Sequence, residues 1–414
     1  MTGSIEGLER FDSPGKGRGL RVTRAFKVGE LLFSSRPYSY VLSVNERSCY
    51  CEFCFTRKEV LARCGKCKKA FYCNAKCQKG DWPMHKLECS AMTAFGENWC
   101  PSEMARLVAR IIAKKKMQKD RCVSEKMLLI GEMQSHVEDV DNEKREMNEA
   151  DIAAMHRFYS KHLEFPDQKG LLTLLSQVAC NGFTVEDEEL SHIGTAVYPD
   201  VALINHSCLP SVTVTYNGTS AEVRAVQDMK PGDETKDSTV IGLFIPADGQ
   251  LVDLHAWTLF SPSQDKAKLK VRKLSDPIEP DVISNMVRYA RKTIRDELLE
   301  MCDQSLEKMG AIFDDTNVYM LHMMYQAMGV CLYMKDVDSA ITYGEKVLKP
   351  FTQLYPPYSL NVSSIYLKMG RLYMVMERYS MGVSALKKAL AIMEVVHGKD
   401  HYYVTELRKE ITKK

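Results

Sequence analysis

Cysteine and histidine at metal-ligand spacing are the first side chains here that could do chemistry. Residues 51 to 89 read Cys51-x2-Cys54-x9-Cys64-x2-Cys67-x5-Cys73-x3-Cys77-x7-His85-x3-Cys89. Thiolate and imidazole hold Zn2+ at four tetrahedral positions, and a C-x2-C turn presents both sulfurs to one ion, so eight ligands in four close pairs make two zinc sites. Sequential pairing would set Cys51, Cys54, Cys64 and Cys67 against Cys73, Cys77, His85 and Cys89. Crossed pairing would set Cys51, Cys54, Cys73 and Cys77 against Cys64, Cys67, His85 and Cys89. Both satisfy the valences, and Cys49 is surplus. A segment of about forty residues is too short for a core of its own, so metal binding must hold its fold. A second reactive stretch, "ALINHSCLPSVTV" at 202–214, places Asn205, His206, Ser207 and Cys208 between two apolar runs. A plain buried strand would carry none of the four.

The whole chain bounds what these groups can serve. Its 414 residues, 45% hydrophobic, suffice for two or three cores without disulfide staples. Lys plus Arg number 56 against 54 Asp plus Glu, which excludes nucleic-acid or membrane binding by bulk charge. In the cysteine-rich segment nine Lys/Arg, four Asp/Glu, seven thiolates and two Zn2+ leave a net charge of +2. That is a weak electrostatic footprint, and it favours peptide partners over nucleic acid. The opening "MTGSIEGLERF" lacks the apolar core of a signal peptide, and no apolar run approaches the roughly 18 residues of a membrane helix, so an intracellular protein is expected. In that setting the 14 cysteines read as thiols or metal ligands, and the sequon at Asn217 carries no glycan.

The elements that must position these groups can be read in outline. "FDSPGKGRGLRVTRAFKVGELLFSSRPYSYVL" is a Gly-rich turn followed by alternating strand patterns, in which Gly15, Gly17 and Gly19 let a backbone pass close to a neighbour. It is not a phosphate loop, since neither the spacing nor a following Ser/Thr fits. Residues 101–165 read as helical, with the lysine run of "SEMARLVARIIAKKKMQK" as a solvated face and His136 as a surface histidine. From about 170 the pattern turns strand-like, from "SQVACNGFTVE" through to "RAVQDMKPGDE". In the last third, stretches starting at Met328 and Met369 are self-similar at a period of 41 residues, which predicts two helical hairpins of tetratricopeptide type with Met and Tyr stripes in their core.

Taken together, "GKGRGL", the finger ending "YCNAKCQKGDWPMHKLEC", "CNGF", "GTAVYPDVALINHSCLPS" and "RAVQDMKPGDE" resemble the SET and MYND domain-containing lysine methyltransferases, over residues 5–234 and again from about 265. A RING ligase finger, the other candidate, places its histidine mid-series rather than next to last. The resemblance implies an α+β protein. Its parts would be the N-terminal part of a SET β-fold of small sheets with a knot-like crossing (1–45), an inserted MYND finger (46–90), a helical insert (91–179), the SET core (180–234), a divergent segment (235–268) and a tetratricopeptide-like helical domain (269–414). It implies crossed zinc pairing, and S-adenosylmethionine as methyl donor held by Lys16, Gly17, Arg18, His136, Asn205 and His206. Gly182 and Phe183 would line the substrate-lysine channel. Further implied are histone tails and non-histone regulators as substrates, peptide partners at the finger, a role in transcription and chromatin regulation, a monomeric state, and residence in nucleus and cytoplasm.

One stretch departs from that pattern. In the family a tyrosine just after the "PGDE" strand orients the substrate amine, and a C-x-C-x2-C cluster joins the "NHSC" cysteine on a third zinc. Here Glu234 is followed by "TKDSTVIGLFIPADGQLVDLHAWTLFSPSQDKAKLKVRKLSD", with no tyrosine between Tyr216 and Tyr289 and no cysteine between Cys208 and Cys302. No catalytic tyrosine is therefore assigned and the third zinc is expected to be absent. Trp257 and Phe260 are the aromatics on offer for that side of the donor pocket. A second reading follows, a non-catalytic isoform that uses finger and helical repeats as an interaction adaptor.

Overall fold

The computed structural model describes residues 4–99, 101–140, 142–238, 297–308, 310 and 317–413. They fall into two compact units, one holding the described residues up to 238 with 394–405, the other the remainder. Residues 239–296, and with them Trp257 and Phe260, lie outside the described residues.

The first unit begins with a hairpin of β1 (Leu8–Ser13) and β2 (Gly17–Val22), in register from Leu8↔Val22 to Ser13↔Gly17. Its turn needs left-handed backbone at Gly15 (φ +73°) and Gly17 (φ +76°), which glycine supplies without a Cβ clash. Strands β3 (Leu31–Ser35) and β4 (Ser39–Leu42) follow, then the short finger pair β5 (Ala62–Arg63) and β6 (Phe71–Tyr72). Helix α1 (Ala75–Phe95) is opened by Asn74, whose side chain accepts the backbone N–H groups of Lys76 and Cys77. Helix α2 (Glu103–Met117) is capped by Ser102 on the Ala105 N–H and ends in Lys114, Lys115 and Lys116, cations suited to a helix C-terminus. Helices α3 (Asn142–Tyr159) and α4 (Gln168–Asn181) complete the insert, with Asp167 capping the second on Gly170.

Strand character was expected from about 170, yet 168–181 is helical. The run "LLTLLSQVAC" repeats its apolar residues at three and four spacing, and Leu171, Leu174, Leu175 and Val178 form the buried face. The strand pattern starts at Gly182 with β7 (Gly182–Glu186) and continues in β8 (His192–Val197), β9 (Asn205–His206), β10 (Val212–Asn217), β11 (Ser220–Ala225) and β12 (Lys236–Asp237). The β10–β11 turn uses Gly218 at φ +60°, so the sequon at Asn217 is part of a tight hairpin. Among the described residues the sheets have two or three strands: β1-β2, β10-β11-β3, β4-β8-β7, β5-β6 and the parallel pair β12-β9. One apolar core, including Leu20, Val41, Tyr72, Leu107, Ile111, Leu175, Val197 and Val223, joins finger, insert and sheets. Residues 394–405 belong to this unit, and Thr215 Oγ1 donates to the Val396 carbonyl at 3.2 Å.

The second unit is helical, with α5 (Val318–Met334), α6 (Val337–Leu354), α7 (Leu360–Val375), α8 (Tyr379–Val396) and α9 (Tyr402–Thr412), the last residues of α8 and the first of α9 lying in the first unit. The 41-residue period thus corresponds to two helical hairpins, α5–α6 and α7–α8. Met320, Met324, Met328, Met369 and Tyr373 form its core, as the stripes predicted. A Cβ on Gly370 would sit 2.6 Å from Leu386, so glycine there is what lets α7 and α8 approach. Among the described residues no helix is long and apolar enough to cross a membrane.

Candidate functional site

The "NHSC" stretch lies at a chain crossing. Asn205 and His206 form β9, which pairs in parallel with Lys236 and Asp237 of β12, and the pairing extends through Ser207 N to Asp237 O (3.0 Å) and Ser211 N to Lys236 O (2.8 Å). The strand therefore runs in the segment following Glu234, where the sequence diverges from its family pattern. Backbone groups make the pairing, so it survives the change of side chains. The same segment also lines the first hairpin: Thr235 N–H and Oγ1 both donate to the Leu20 carbonyl, at 2.8 and 3.0 Å.

Four of the sequence-predicted donor residues meet here, Lys16, Arg18, Asn205 and His206. Lys16 Nζ donates to the His206 carbonyl at 2.8 Å. Asn205 Nδ2 donates to Glu234 Oε1 at 2.8 Å and, at 3.4 Å, to the carbonyl of Arg18. The Glu234 carboxyl is held below its usual range: burial pushes it up, but hydrogen bonds from Asn205 and Ser13 and the charge of Lys236 prevail. A Cβ on Gly19 would lie 2.9 Å from Asn205 Nδ2 and 3.0 Å from Glu234 Oε1, so only glycine lets hairpin and crossing close up. Beside Gly15 and Gly17, by contrast, a Cβ would meet nothing within 4 Å, which leaves open space along that backbone. Glu234 was read in the sequence only as part of "PGDE"; its role shows once Asn205 is placed beside it.

The other predicted residues occupy neighbouring positions. His136 sits half-exposed at φ +46°, with Nδ1 3.5 Å from Asp139 Oδ2. Its loop is pinned to α4 by Asn181 Nδ2 to the Gln134 carbonyl (2.8 Å), and the chain just before it receives Arg10 of β1 on the Met127 carbonyl (3.0 Å). Asp200 holds that chain too, accepting the N–H groups of Lys126, Met127 and Leu128. Gly182 and Phe183 open β7, on the β4-β8-β7 sheet rather than at the crossing. Phe183 packs edge-on to Tyr198 at 5.6 Å, and Tyr198 lies 6.0 Å from Tyr216. The Tyr198 hydroxyl is committed to the Thr219 carbonyl at 2.7 Å. Cys208 is exposed, with its sulfur 3.6 Å from His206 Nε2.

In the finger the eight ligands assemble into two groups, Cys51, Cys54, Cys73, Cys77 and Cys64, Cys67, His85, Cys89. This is the crossed pairing. Within them Cys54–Cys73, Cys54–Cys77 and Cys64–Cys89 sulfurs stand 3.7, 3.9 and 3.9 Å apart, and Cys67 Sγ is 3.5 Å from His85 Nε2. Zn–S bonds near 2.3 Å at tetrahedral angles put two sulfurs about 3.8 Å apart and sulfur and imidazole nitrogen about 3.6 Å apart, so both groups fit Zn2+.

Buried charges join the finger to the insert. Arg106 and Arg110 of α2, which the sequence did not single out beside its lysine run, are 0% and 2% exposed. Arg106 donates to both Glu88 oxygens (3.0 and 3.4 Å) and to the Leu42 carbonyl (2.6 Å), while Arg110 reaches Glu88 at 3.2 Å and Asp81 at 3.3 Å. Arg47 pairs with Glu52 at 2.7 Å, and Tyr159 and Tyr72 hydroxyls cap Glu88 and Asp81 at 2.8 Å each. Burial would push the Glu88 carboxyl up, but the two guanidiniums hold it far below the carboxylate range. The acidic members are interleaved with zinc ligands, Glu52 beside Cys51 and Glu88 beside Cys89, so the metal sites and α2 share one framework. The lysine run is not all solvated either, since Lys114 Nζ donates to the Tyr38 carbonyl at 2.5 Å.

Similarity to known proteins agrees with this geometry. The MYND finger family model matches residues 51–89. N-lysine methyltransferase SMYD2-B of Danio rerio is 61% identical over 426 residues, covering 98% of either chain. N-lysine methyltransferase SMYD2 of Homo sapiens is 58% identical over 425 residues, again covering 98% of either chain.

Proposed function

The chain belongs to the SMYD2 family of N-lysine methyltransferases, and from that membership we propose that it transfers a methyl group from S-adenosylmethionine to lysine side chains of proteins. The substrates on this reading are histone tails and non-histone regulators, met by a monomer in nucleus and cytoplasm, with peptide partners at the finger. The observation that carries it is the crossing of β9 and β12 beside the Gly-rich hairpin, where Lys16, Arg18, Asn205 and His206 converge.

S-adenosylmethionine supplies an electrophilic methyl on a sulfonium. The residues present fit it, because the backbone at Gly17 has open space on its Cβ side while its neighbours Lys16 and Arg18 are tied to His206 and Asn205. Glu234 orients the Asn205 amide, and Lys16 ties the hairpin to the His206 carbonyl. A free lysine amine of pKa about 10.4 is neutral only about 0.04% of the time at pH 7, so exposing its lone pair costs about 4.6 kcal/mol unless burial lowers that pKa. Phe183 and Tyr198, packed together and buried, provide an apolar wall for such burial. Alignment of nitrogen, methyl and sulfur then supplies several kcal/mol more.

The sequence beyond Glu234 supports a second reading. With no tyrosine in 217–288 and Tyr198 already bonded to Thr219, the amine-orienting hydroxyl lacks an evident source, which favours a non-catalytic adaptor. Transfer of labelled methyl to histones and peptides by the zinc-loaded chain separates the two. Label on lysine that vanishes in Asn205→Ala and His206→Ala supports catalysis. A folded protein holding two zincs and transferring no label leaves the adaptor.

A further inference from the structure

The turn that joins α8 to α9 is fastened to the β10–β11 hairpin by two histidines that the methyl-transfer site does not use. His397 and His401 are 5% and 7% exposed, with ring centres 4.8 Å apart. Tyr403 packs on both, edge-on to His397 at 5.7 Å and 4.9 Å from His401. His401 Nε2 lies 3.3 Å from the Tyr216 carbonyl oxygen of β10, and its Nδ1 lies 3.2 Å from the Tyr403 backbone nitrogen. Gly398, at φ +90°, comes so close to β11 that a Cβ there would meet Arg224 Nη2 at 2.8 Å.

These hydrogen bonds admit one protonation state. A carbonyl only accepts and a backbone N–H only donates, so His401 carries its proton on Nε2 and presents a bare Nδ1 to Tyr403. A proton on that Nδ1 would set two N–H groups against each other. His397 Nδ1 is buried with no hydrogen-bond partner among the described residues, so an imidazolium there would hold an N–H without an acceptor. The charged groups around the pair do not offset this. Arg224 of β11 is itself cationic, and Glu222 on the same strand already accepts from it at 2.9 Å. Lys399 and Asp400 in the turn are exposed, while Asp187 and Glu188 act on Tyr403. Burial pushes His397 down to about 3, with His401 and Arg224 adding to the shift. Burial also holds His401 below its usual range, although Glu222 and the Tyr216 carbonyl oppose it.

We propose that His397 and His401 form an acid-sensitive clasp, which holds the α8–α9 turn on the β10–β11 hairpin while both rings are neutral and releases it when they are protonated. Above about pH 6.5 the closed and open forms both carry neutral rings, and the clasp is at full strength. Below it the open form takes up protons that the closed form excludes, so closure weakens as pH falls from about 6.5 toward the closed-form values. With His397 near 3 when closed and near 6.5 when open, that ring alone makes opening about tenfold easier at pH 5.5 than at pH 7.5. An equal share from His401 brings the change to about a hundredfold.

The test is amide hydrogen exchange of the zinc-loaded full chain, read by peptide mass mapping and corrected for the intrinsic pH dependence of exchange, so that protection reports the local opening equilibrium. Protection of residues 397–405 is expected to fall about 10- to 100-fold between pH 7.5 and pH 5.5, while α4, which carries no histidine, keeps its protection. His401→Gln reproduces both hydrogen bonds without titrating, and His397→Phe keeps an aromatic ring; in the double variant the fall is expected to disappear. Unchanged protection of 397–405 in the wild type, or an equal loss in α4, overturns the proposal, and neither result depends on a variant's folding. The same fall in a folded double variant overturns it as well.

Discussion

Replacing Arg106 by Met tests whether the finger and the insert form one framework. The formal charges of the buried group balance, with Arg47, Arg106 and Arg110 against Glu52, Asp81 and Glu88. Methionine fills similar volume beside the Trp99 ring but removes the donors to Glu88 and to the Leu42 carbonyl. Glu88, 0% exposed, then keeps the Arg110 and Tyr159 hydrogen bonds and the charge of Arg47. Breaking one partner of a buried pair costs about 3–5 kcal/mol, chiefly because the other charge stays desolvated. At about 2–4 °C per kcal/mol for a unit of this size, Tm should fall by about 6–20 °C in zinc-loaded protein followed by circular dichroism. The double variant Arg106→Met with Glu88→Gln leaves two charges of each sign, and it should be more stable than Arg106→Met alone. A single variant within about 2 °C of wild type, or a double variant that loses the sum of both single losses, would refute the framework argument.

Three further outcomes are expected. Metal analysis of the purified chain should give two zinc ions, with one lost in Cys73→Ser and the other in Cys89→Ser; three ions would show that Cys208 has found partners. Burial would raise the Glu103 carboxyl, but the hydrogen bond and charge of His192 with the Thr195 hydroxyl hold it down to about 2. Since the folded value lies below the ordinary 4.5, its stabilisation is present above pH 4.5 and is lost as pH falls toward 2, worth about 3 kcal/mol in all. His192 is raised above 6.5, burial being outweighed by Glu103, so its share is present below 6.5 and fades as pH rises through the folded value. Urea unfolding should show the gap between wild type and Glu103→Gln widest near pH 5–6, and a pH-independent gap would count against the pair. Glu234→Ala removes the charged acceptor from Asn205 and should weaken S-adenosylmethionine binding about tenfold by calorimetry, whereas unchanged affinity would free Asn205 from that role.

What was legible in the chain follows how local each signal is. Ligand spacing gives the number of zinc sites because a C-x2-C turn is closed within four residues, and the 41-residue period gives the helical hairpins because a repeat is a pattern along the chain. The crossed pairing depends on which turn folds against which, and spacing left it open until β5, β6 and α1 were in place. Arg106 and Arg110 were hidden for the same reason. Four residues apart on a helix rich in Lys and Arg, they look solvated, and only acids more than fifteen residues upstream, at Asp81 and Glu88, make their burial affordable. Helix α4 was obscured by its buried face, where a short apolar run bounded by "CNGF" suits strand or helix until length decides.

The β9–β12 crossing shows why a break in sequence resemblance need not break the site. Side chains change after Glu234, but what Asn205 and His206 ask of residues 235–237 is mostly backbone: a parallel partner, carbonyls for Ser207 and Ser211, and a donor to Leu20. Thr235 and Asp237 are both 0% exposed, so a threonine hydroxyl and a carboxyl sit where apolar side chains would be the ordinary choice. Thr235 resolves that by donating to the Leu20 carbonyl. On the function proposed above, the donor half of the site rests on backbone geometry this chain retains, and the amine half on an orienting hydroxyl that residues 217–288 do not supply as tyrosine. Methyl-donor affinity and methyl transfer are accordingly separable here, and a chain that binds S-adenosylmethionine through Asn205 while transferring nothing would locate the loss in the amine half alone.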